Sequence, residues 1–213
     1  MVPWIAGLAR GALAAVGLFL FLAAAPVHAG ETGSSKPQNG LFLAGQLLVA
    51  SPQIGDPRFA RTVIYMVDHN NKGALGLVVN KVFGSGSMEK FLQGFNIDAG
   101  EVQGDIRLHY GGPVEPGAGF VLHTADYQGP GTRVVNSKMA LTTEMSVLKA
   151  IAEGNGPRHS LFALGYAGWG PGQLEGEIAR GDWFSAPADE NLIFDEDVET
   201  KWDRAQGSAG LKL

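Results

Sequence analysis

The sequence contains no cysteine, and this absence removes several kinds of function at once. A chain without cysteine has no disulfide framework, no thiolate nucleophile and no cysteine-ligated metal site. Its histidines do not occur at the HExxH spacing of zinc peptidases, and no two lie four residues apart on a predicted helix. We therefore expect no metal and no cofactor, and a fold that is stabilised by an apolar core.

Basic residues are also scarce, with 16 Lys and Arg against 21 Asp and Glu and a net charge of −5. Residues 1–29 contain one basic residue, Arg10, and no acid, so the chain without them has a net charge of −6. Nucleic-acid binding depends on basic patches, and anionic membranes attract polybasic segments. We expect neither partner.

Sequence motifs that indicate a particular reaction or ligand are missing as well. No Gly-x-Ser-x-Gly elbow is present to expose a serine nucleophile. The loop Gly84-Ser85-Gly86-Ser87 lacks the Gly-Lys-Ser/Thr ending of a phosphate-binding Walker loop. The run Asp195-Glu196-Asp197 is not followed by a twelve-residue calcium loop, and we interpret it as acidic charge at a helix start. The catalytic residues, if the protein is an enzyme, are therefore unknown from motifs.

The N-terminus has the layout of a secretory signal peptide over residues 1–29. Arg10 precedes an apolar stretch, and Val27-His28-Ala29 is a cleavage site of the small-x-small type. The apolar stretch is shorter than the roughly 20 residues that a stable transmembrane helix needs. These features predict a periplasmic or secreted protein with no stable membrane span after cleavage. The alternative is an uncleaved N-terminal segment that anchors the protein to the inner membrane.

Residues 30–40 are polar and glycine-rich, and predict a flexible linker before a single domain at residues 41–205 and a frayed tail at 206–213. Short β-branched or apolar runs predict strands at residues 47–50, 62–68, 74–80, 106–110, 119–123, 132–135, 160–166, 183–186 and 191–194. Apolar spacing predicts helices capped by Ser87, by Thr142, at the glycines near 172, and by Asp195.

Hairpins outnumber strand–helix–strand units in this pattern. The sequence therefore predicts an α+β fold, with one compact domain and a mixed, largely antiparallel sheet of barrel-like curvature. About four helices are expected to flank the sheet.

The stretch from Gly165 to Gly181 is the densest feature of the chain, because a strand enters a glycine-rich turn and a short helix leaves it. The helix start at Gly172, Gln173 and Leu174 could offer N–H groups to an anion, with Glu175 and Glu177 nearby as proton carriers. The alternative is tight packing of a helix on a sheet, with both glutamates in solvent. Trp169 and Trp183 border the turns, and we expect them in the core rather than in a groove.

A second indication of a functional site comes from His109 and His123. They flank the Gly111-Gly112-Pro113 turn on predicted adjoining strands and could approach one another. Ordinary structural hydrogen bonds are the alternative for both rings. The cluster Asp56, Arg58 and Arg61 could pair internally or bind a carboxylate. Together these features define a candidate groove whose members are Gly111, Gly112, Trp169, Gly172, Gln173, Glu175, Glu177, His109 and His123.

Several motifs together resemble the bacterial YqgE/AlgH family. They are GQLLVASP at 45–52, Asp56-Pro57-Arg58-Phe59, GALGLVVN at 73–80, Gly111-Gly112-Pro113-Val114, and the 165–178 segment, followed by Ile193-Phe194 and Lys201-Trp202. The likeness covers nearly all of residues 41–205. It implies a compact single domain of α/β type with no agreed catalytic residues to carry over, and one member is labelled a regulator of alginate synthesis.

Three hypotheses for function follow. The first is an exported, non-catalytic protein that binds a small molecule or another protein in the candidate groove. The second is a hydrolase or isomerase with a carboxylate–histidine site near Gly165–Gly181, because such sites assemble from distant segments and leave no local motif. The third, a transcriptional regulator, follows from the family label alone.

Overall fold

The computed structural model of the protein describes residues 42–98, 102 and 104–209. The predicted signal peptide, the linker and the last residues of the tail lie outside this part of the chain. The described residues contain ten strands: β1 Leu47–Ala50, β2 Val63–Asn70, β3 Gly73–Val78, β4 Val82–Ser87, β5 Asp105–Tyr110, β6 Val114–Thr124, β7 Thr132–Val134, β8 Met139–Thr142, β9 Ser160–Trp169 and β10 Trp183–Ala186.

Five α-helices occur in the described part of the chain: α1 Met88–Gly94, α2 Ser146–Ala152, α3 Gln173–Ala179, α4 Glu190–Phe194 and α5 Lys201–Ser208. A short 3-10 turn covers Pro57–Phe59. None of the helices in the described residues is long and apolar enough to cross a bilayer.

The strands form one curled sheet in the order β10-β1-β2-β3-β9-β6-β8-β7, while β4 and β5 join it at β9. All strand pairs are antiparallel except β5 with β9, which is parallel. The predicted α+β class with a mixed, largely antiparallel sheet is therefore confirmed, with five helices in place of about four.

Strand β9 connects two parts of the sheet, because two different strands, β5 and β3, pair with the same edge of it. Its residues 162–164 pair with β5, and its residues 167–169 pair with β3. The change of partner occurs at Gly165, which has a φ of +72°. A Cβ atom on Gly165 would collide with the carbonyl oxygen of Gly112, so glycine is required here for backbone conformation and for close packing.

Apolar side chains within residues 42–209 form three core clusters where the structure describes them. One lies between the sheet and helices α4 and α5, around Ile193 and Trp202. A second lies beneath α3, where Leu174 packs with Trp169 and Trp183, and a third lies against α1 and α2. The expectation that both tryptophans belong to the core is confirmed, since Trp169 is 7% and Trp183 is 2% exposed.

Some local predictions are wrong. Thr142 does not cap a helix, because residues 139–142 form β8 and the helix begins at Ser146. The run Asn191–Phe194 is helical rather than extended, with the Asp189 side chain accepting the backbone N–H of Asn191 at 2.9 Å. A short apolar run of this kind fits a buried helix or a buried strand equally well.

Two further boundaries differ from the sequence pattern. The predicted loop at 84–86 is part of strand β4, which pairs with β5. Helix α5 begins after Thr200 rather than at Asp195, and it continues to Ser208. Gln206 is therefore buried within that helix at 1% exposure rather than lying in a frayed tail.

Candidate functional site

We call the glycine-rich turn and helix of residues 165–181 the glycine corner. Groups of this segment form hydrogen bonds with one another. Helix α3 starts after Gly172, and the side chain of Gln173 accepts the backbone N–H of Gly170 at 3.1 Å. The backbone N–H of Gln173 donates to the carbonyl of Gly170 in turn. The Gly111-Gly112 turn lies directly on β9, since a Cβ on Gly111 would collide with the carbonyl oxygen of Gly165. The structure thus brings the two glycine segments together through backbone contact.

Glu177 links the corner to the core. Its Oε2 atom accepts the indole N–H groups of Trp169 and Trp183, each at 2.8 Å. Its Oε1 atom accepts the side-chain amide of Gln173 at 2.9 Å. With its oxygens engaged in this way, the carboxylate orients two buried rings and closes the helix onto the sheet.

Glu175 contacts a histidine that the sequence analysis did not assign to the corner. Its Oε1 atom lies 3.1 Å from Nε2 of His69, whose side chain is 1% exposed. The Nδ1 atom of His69 accepts the backbone N–H of Leu43 at 3.1 Å. Nδ1 therefore carries the lone pair, and Nε2 carries the proton that it donates to Glu175. Both ring nitrogens are occupied, so neither can accept a proton from a substrate while these contacts hold.

His109 and His123 lie on different faces of the sheet. His109 pairs with Ala163 on one side of β9, and His123 pairs with Ser160 on the other. Positions 160 and 163 have opposite parity along the strand, so the two rings point to opposite faces. The expected approach of these histidines is not found.

His123 is held by neighbours on its own face. Its Nδ1 donates to the carbonyl of Thr124, and its Nε2 accepts the hydroxyl of Thr142, both at 2.8 Å. Burial lowers the pKa of His123, although the bond to Thr124 opposes this effect. This histidine is a satisfied core residue, as the structural alternative predicted.

The charged loop residues form ion pairs, some within the loop and some with helix α5. Asp56 and Arg58 form an ion pair at 2.6 Å, and Arg61 pairs with Asp203 at 2.7 Å. Asp195 pairs with Arg204 at 2.6 Å. No group of three or more acidic or histidine side chains in the described residues could hold a metal ion.

A cavity of about 250 Å³ opens where β5 and β9 separate. The ladder between these strands covers only Leu108–Tyr110 opposite Phe162–Leu164. Residues that precede the ladder on both strands line the cavity, among them Ile106 and Leu161. We call this cavity the β5–β9 cleft, and its polar lining consists of Asp105, Arg107, His109, Ser160, Asp195, Glu196 and Lys201.

Lys201 is the unusual member of this lining, because its side chain is fully buried. Its ammonium donates to the carbonyls of Val79 at 3.1 Å and Ile193 at 2.6 Å. No carboxylate in the described part of the chain lies within 4 Å of it, since Asp195 pairs with Arg204 instead. Burial lowers the pKa of Lys201 to about 8, and the charge of Asp195 acts in the opposite direction.

His109 lies beside this lysine and is 6% exposed. Its Nδ1 is 3.2 Å from the carbonyl oxygen of Phe162, so Nδ1 carries the proton and Nε2 carries a lone pair. Burial, followed by the charge of Lys201, lowers the pKa of His109 to about 4. The ring is therefore neutral at pH 7 and offers an acceptor rather than a positive charge.

Charged groups of the cleft lie at its exposed side. Arg107 donates to the carbonyl of Glu196 at 2.7 Å and lies 3.6 Å from its carboxylate, which is 90% exposed. Asp105 is exposed and forms no ion pair within the described residues. The cleft thus combines a buried cation with an acidic rim. Sequence reasoning identified His109 but missed Lys201, whose one signal was the Lys201-Trp202 pair among the family motifs.

Comparison with known proteins gives a consistent result. A family model described as AlgH-like matches residues 47–213. A UPF0301 protein of Methylococcus capsulatus is 49% identical over 177 residues, which cover 83% of this chain and 97% of that protein. A UPF0301 protein of Rhodospirillum rubrum is 46% identical over 170 residues, which cover 80% of this chain and 88% of that protein.

Solved structures show the same fold. The solution structure of the AlgH protein from Pseudomonas aeruginosa matches with a TM-score of 0.68 at 35% identity, over 85% of this chain and 94% of that chain. A crystal structure of a protein from Corynebacterium diphtheriae matches with a TM-score of 0.62 at 21% identity, over 83% and 90% of the two chains, which is a likeness of fold alone. The fold is therefore shared over most of each chain.

Proposed function

This chain belongs to the AlgH-like family, as its motifs suggested, and we propose that it is a non-catalytic protein that binds a small molecule with an anionic group in the β5–β9 cleft. The supporting observation is Lys201, a fully buried lysine that belongs to the lining of a cavity. An ammonium carries three N–H groups, and only two of them have acceptors in the described residues. A buried charge without a counter-ion is costly, so an anion in the cleft would be stabilised.

The size of the cleft favours a small ligand. Its volume of about 250 Å³ lies below the roughly 300–1,000 Å³ of pockets that hold drug-sized molecules. Apolar side chains such as Val121, Leu148 and Phe162 line it beside the charged groups. Such a lining suits a compact molecule with an apolar part and one charged end.

The test of this proposal is a screen of small carboxylates and phosphates by thermal shift, with binding mapped by amide chemical shifts. A ligand at about 100 times its Kd stabilises a fold by roughly 2.7 kcal/mol. Ser160→Trp places a large ring in the lining and should abolish binding, whereas Ser185→Trp, at an exposed position on β10, should not. If no anion binds, or if hits bind both variants equally, the proposal is wrong.

The enzyme alternative is less well supported by the same contacts. The carboxylate–histidine pair at the glycine corner is Glu175 with His69, and the backbone N–H of Leu43 occupies the remaining ring nitrogen. In the cleft, no hydrogen bond joins Ser160 to His109 among the described residues, although nucleophilic catalysis needs an activating base within such reach.

We also propose that the protein is exported and cleaved after Ala29. The proposal depends on the arrangement of Arg10, the apolar stretch and the Val27-His28-Ala29 site. N-terminal sequencing of the protein from fractionated cells tests it, with Gly30 expected as the first residue in the periplasm or medium. Intact Met1 in the cytosol would contradict export, and intact Met1 in the inner membrane would indicate the anchored alternative.

A further inference from the structure

The polar groups of the β5–β9 cleft differ in sign with depth. Lys201 and His109 are its buried polar members, at 0% and 6% exposure. Asp105 and Glu196 are exposed, and Asp195 is partly buried. A ligand in this cleft therefore meets a cationic buried end and an acidic rim.

The two polar groups at the buried end of the cleft are complementary to a ligand that carries both a hydrogen-bond acceptor and a hydrogen-bond donor. The third N–H of the Lys201 ammonium has no acceptor in the described residues, and an anionic oxygen would supply one. The Nε2 lone pair of His109 has no donor there either, because the ring contacts only carbonyl acceptors, those of Phe162 and Arg107. A carboxylate with an N–H or O–H donor on the neighbouring carbon satisfies both groups, since buried polar groups are normally paired.

The charges at the rim of the cleft decide whether the donor to His109 is an ammonium group or a hydroxyl group. Three carboxylates line the cleft, namely those of Asp105, Asp195 and Glu196, but Asp195 pairs with Arg204 at 2.6 Å and Glu196 lies near Arg107. Asp105 has no ion pair among the described residues, while the pair between Arg107 and Glu196 is loose at 3.6 Å. An ammonium group in the cleft gains from the carboxylate of Asp105, which has no guanidinium partner in the described part of the chain, whereas a neutral hydroxyl does not.

On this basis, and resting on the function proposed above, we infer that the cleft binds a small α-amino acid with an apolar side chain. The carboxylate accepts from Lys201, the α-ammonium donates to His109 and faces the acidic rim, and the side chain packs on Val121, Leu148 and Phe162. No bond is made or broken in this complex.

The test compares three molecules of nearly equal shape by calorimetry at pH 7: L-leucine, 2-hydroxy-4-methylpentanoate and 4-methylpentanoate. We expect leucine to bind most tightly, the hydroxy acid less tightly, and 4-methylpentanoate at least about tenfold more weakly than leucine, because it lacks the α-donor. Asp105→Asn should weaken leucine binding by roughly fivefold and leave 4-methylpentanoate unchanged. Glu199→Gln, at an exposed position outside the cleft, is the matched control.

Each result separates this inference from the proposed function. If 4-methylpentanoate binds as tightly as leucine in a manner that Ser160→Trp abolishes, the cleft is an anion site and the amino-acid inference is wrong. If none of the three binds while another small carboxylate or phosphate does, the inference fails and the proposed function stands. If no anion binds in the cleft, both are wrong.

Discussion

Glu177 provides a direct test of how the glycine corner is stabilised. Its Oε2 atom accepts hydrogen bonds from the buried indoles of Trp169 and Trp183, each at 2.8 Å. Glu177→Ala removes both acceptors, and a buried donor without an acceptor costs about 1–3 kcal/mol. We expect the free energy of unfolding to fall by roughly 2–6 kcal/mol. For a domain of this size, the corresponding fall in Tm is roughly 5–20 °C.

Two further variants make the comparison quantitative. Glu175→Ala on the same helix removes a single acceptor, that of the buried His69 ring, so we expect about half the effect. Glu199→Ala lies at an exposed position and should change stability by less than about 0.5 kcal/mol.

Urea unfolding followed by circular dichroism measures the free energies, and tryptophan emission reports on the two indoles. Equal losses for Glu177→Ala and Glu175→Ala would refute the argument that two bonds exceed one. A loss for Glu177→Ala no larger than that for Glu199→Ala would show that the indole contacts do not stabilise the fold.

Four other outcomes can be checked with purified protein. Because the folded-state pKa of His109 is about 4 and its ordinary value is 6.5, the unfolded chain alone binds this proton between those pH values. Stability should therefore fall by about 3 kcal/mol from pH 6.5 to 4, relative to His109→Gln. Lys201 loses its proton near pH 8 when folded and near 10.5 when unfolded, so the free energy of unfolding should rise by about 3 kcal/mol over that range relative to Lys201→Met. For either residue, parallel stability–pH curves of the protein and its variant would contradict the assigned pKa. The side-chain amide of Gln206 is buried with no partner among the described residues, so Gln206→Leu should raise the free energy of unfolding by about 1 kcal/mol or more, and a loss in the same assay would contradict this. Duplex DNA at about 50 mM salt, where phosphate contacts are favoured, should show no sequence-dependent submicromolar binding in a titration, because the chain has a net charge of −5.

Local chemistry explains which parts of the fold were predictable. The β2–β3 hairpin follows from two β-branched runs around a polar turn, and its antiparallel register is confirmed. Ser87 caps α1 through its hydroxyl, as its position before an amphipathic run predicted. Gly181 takes the left-handed conformation that ends α3, with a φ of +80°. Each of these features is decided within a few residues.

The secondary-structure predictions were wrong where the local sequence is compatible with both a helix and a strand. Asn191–Phe194 is too short for its periodicity to separate helix from strand, and in the fold the side chain of Asp189 caps the helix. Thr142 is equally suited to a helix cap and a strand. In the fold it belongs to β8, where its hydroxyl bonds to the buried ring of His123, so a distant partner decided its role.

The site was predictable only in part, because its groups come together through long-range pairing. Glu175 and His69 are 106 residues apart in the chain, and nothing near either residue indicates the other. Lys201 contacts the carbonyl of Val79 at a separation of 122 residues. The sequence does show Lys201 beside Trp202, but a charged residue at a helix start is normally exposed.

The cleft and the organisation of the sheet have a common origin in β9. One edge of this strand pairs with β3 after Gly165 and with β5 before it, so neither partner can run along the whole edge. The parallel ladder with β5 is limited to three residue pairs, and the strands separate beyond Phe162. Continuing that ladder would place Arg107 against Leu161 and close the gap. The geometry that lets β9 join two parts of the sheet therefore also leaves the opening of the β5–β9 cleft, whose lining includes the buried Lys201.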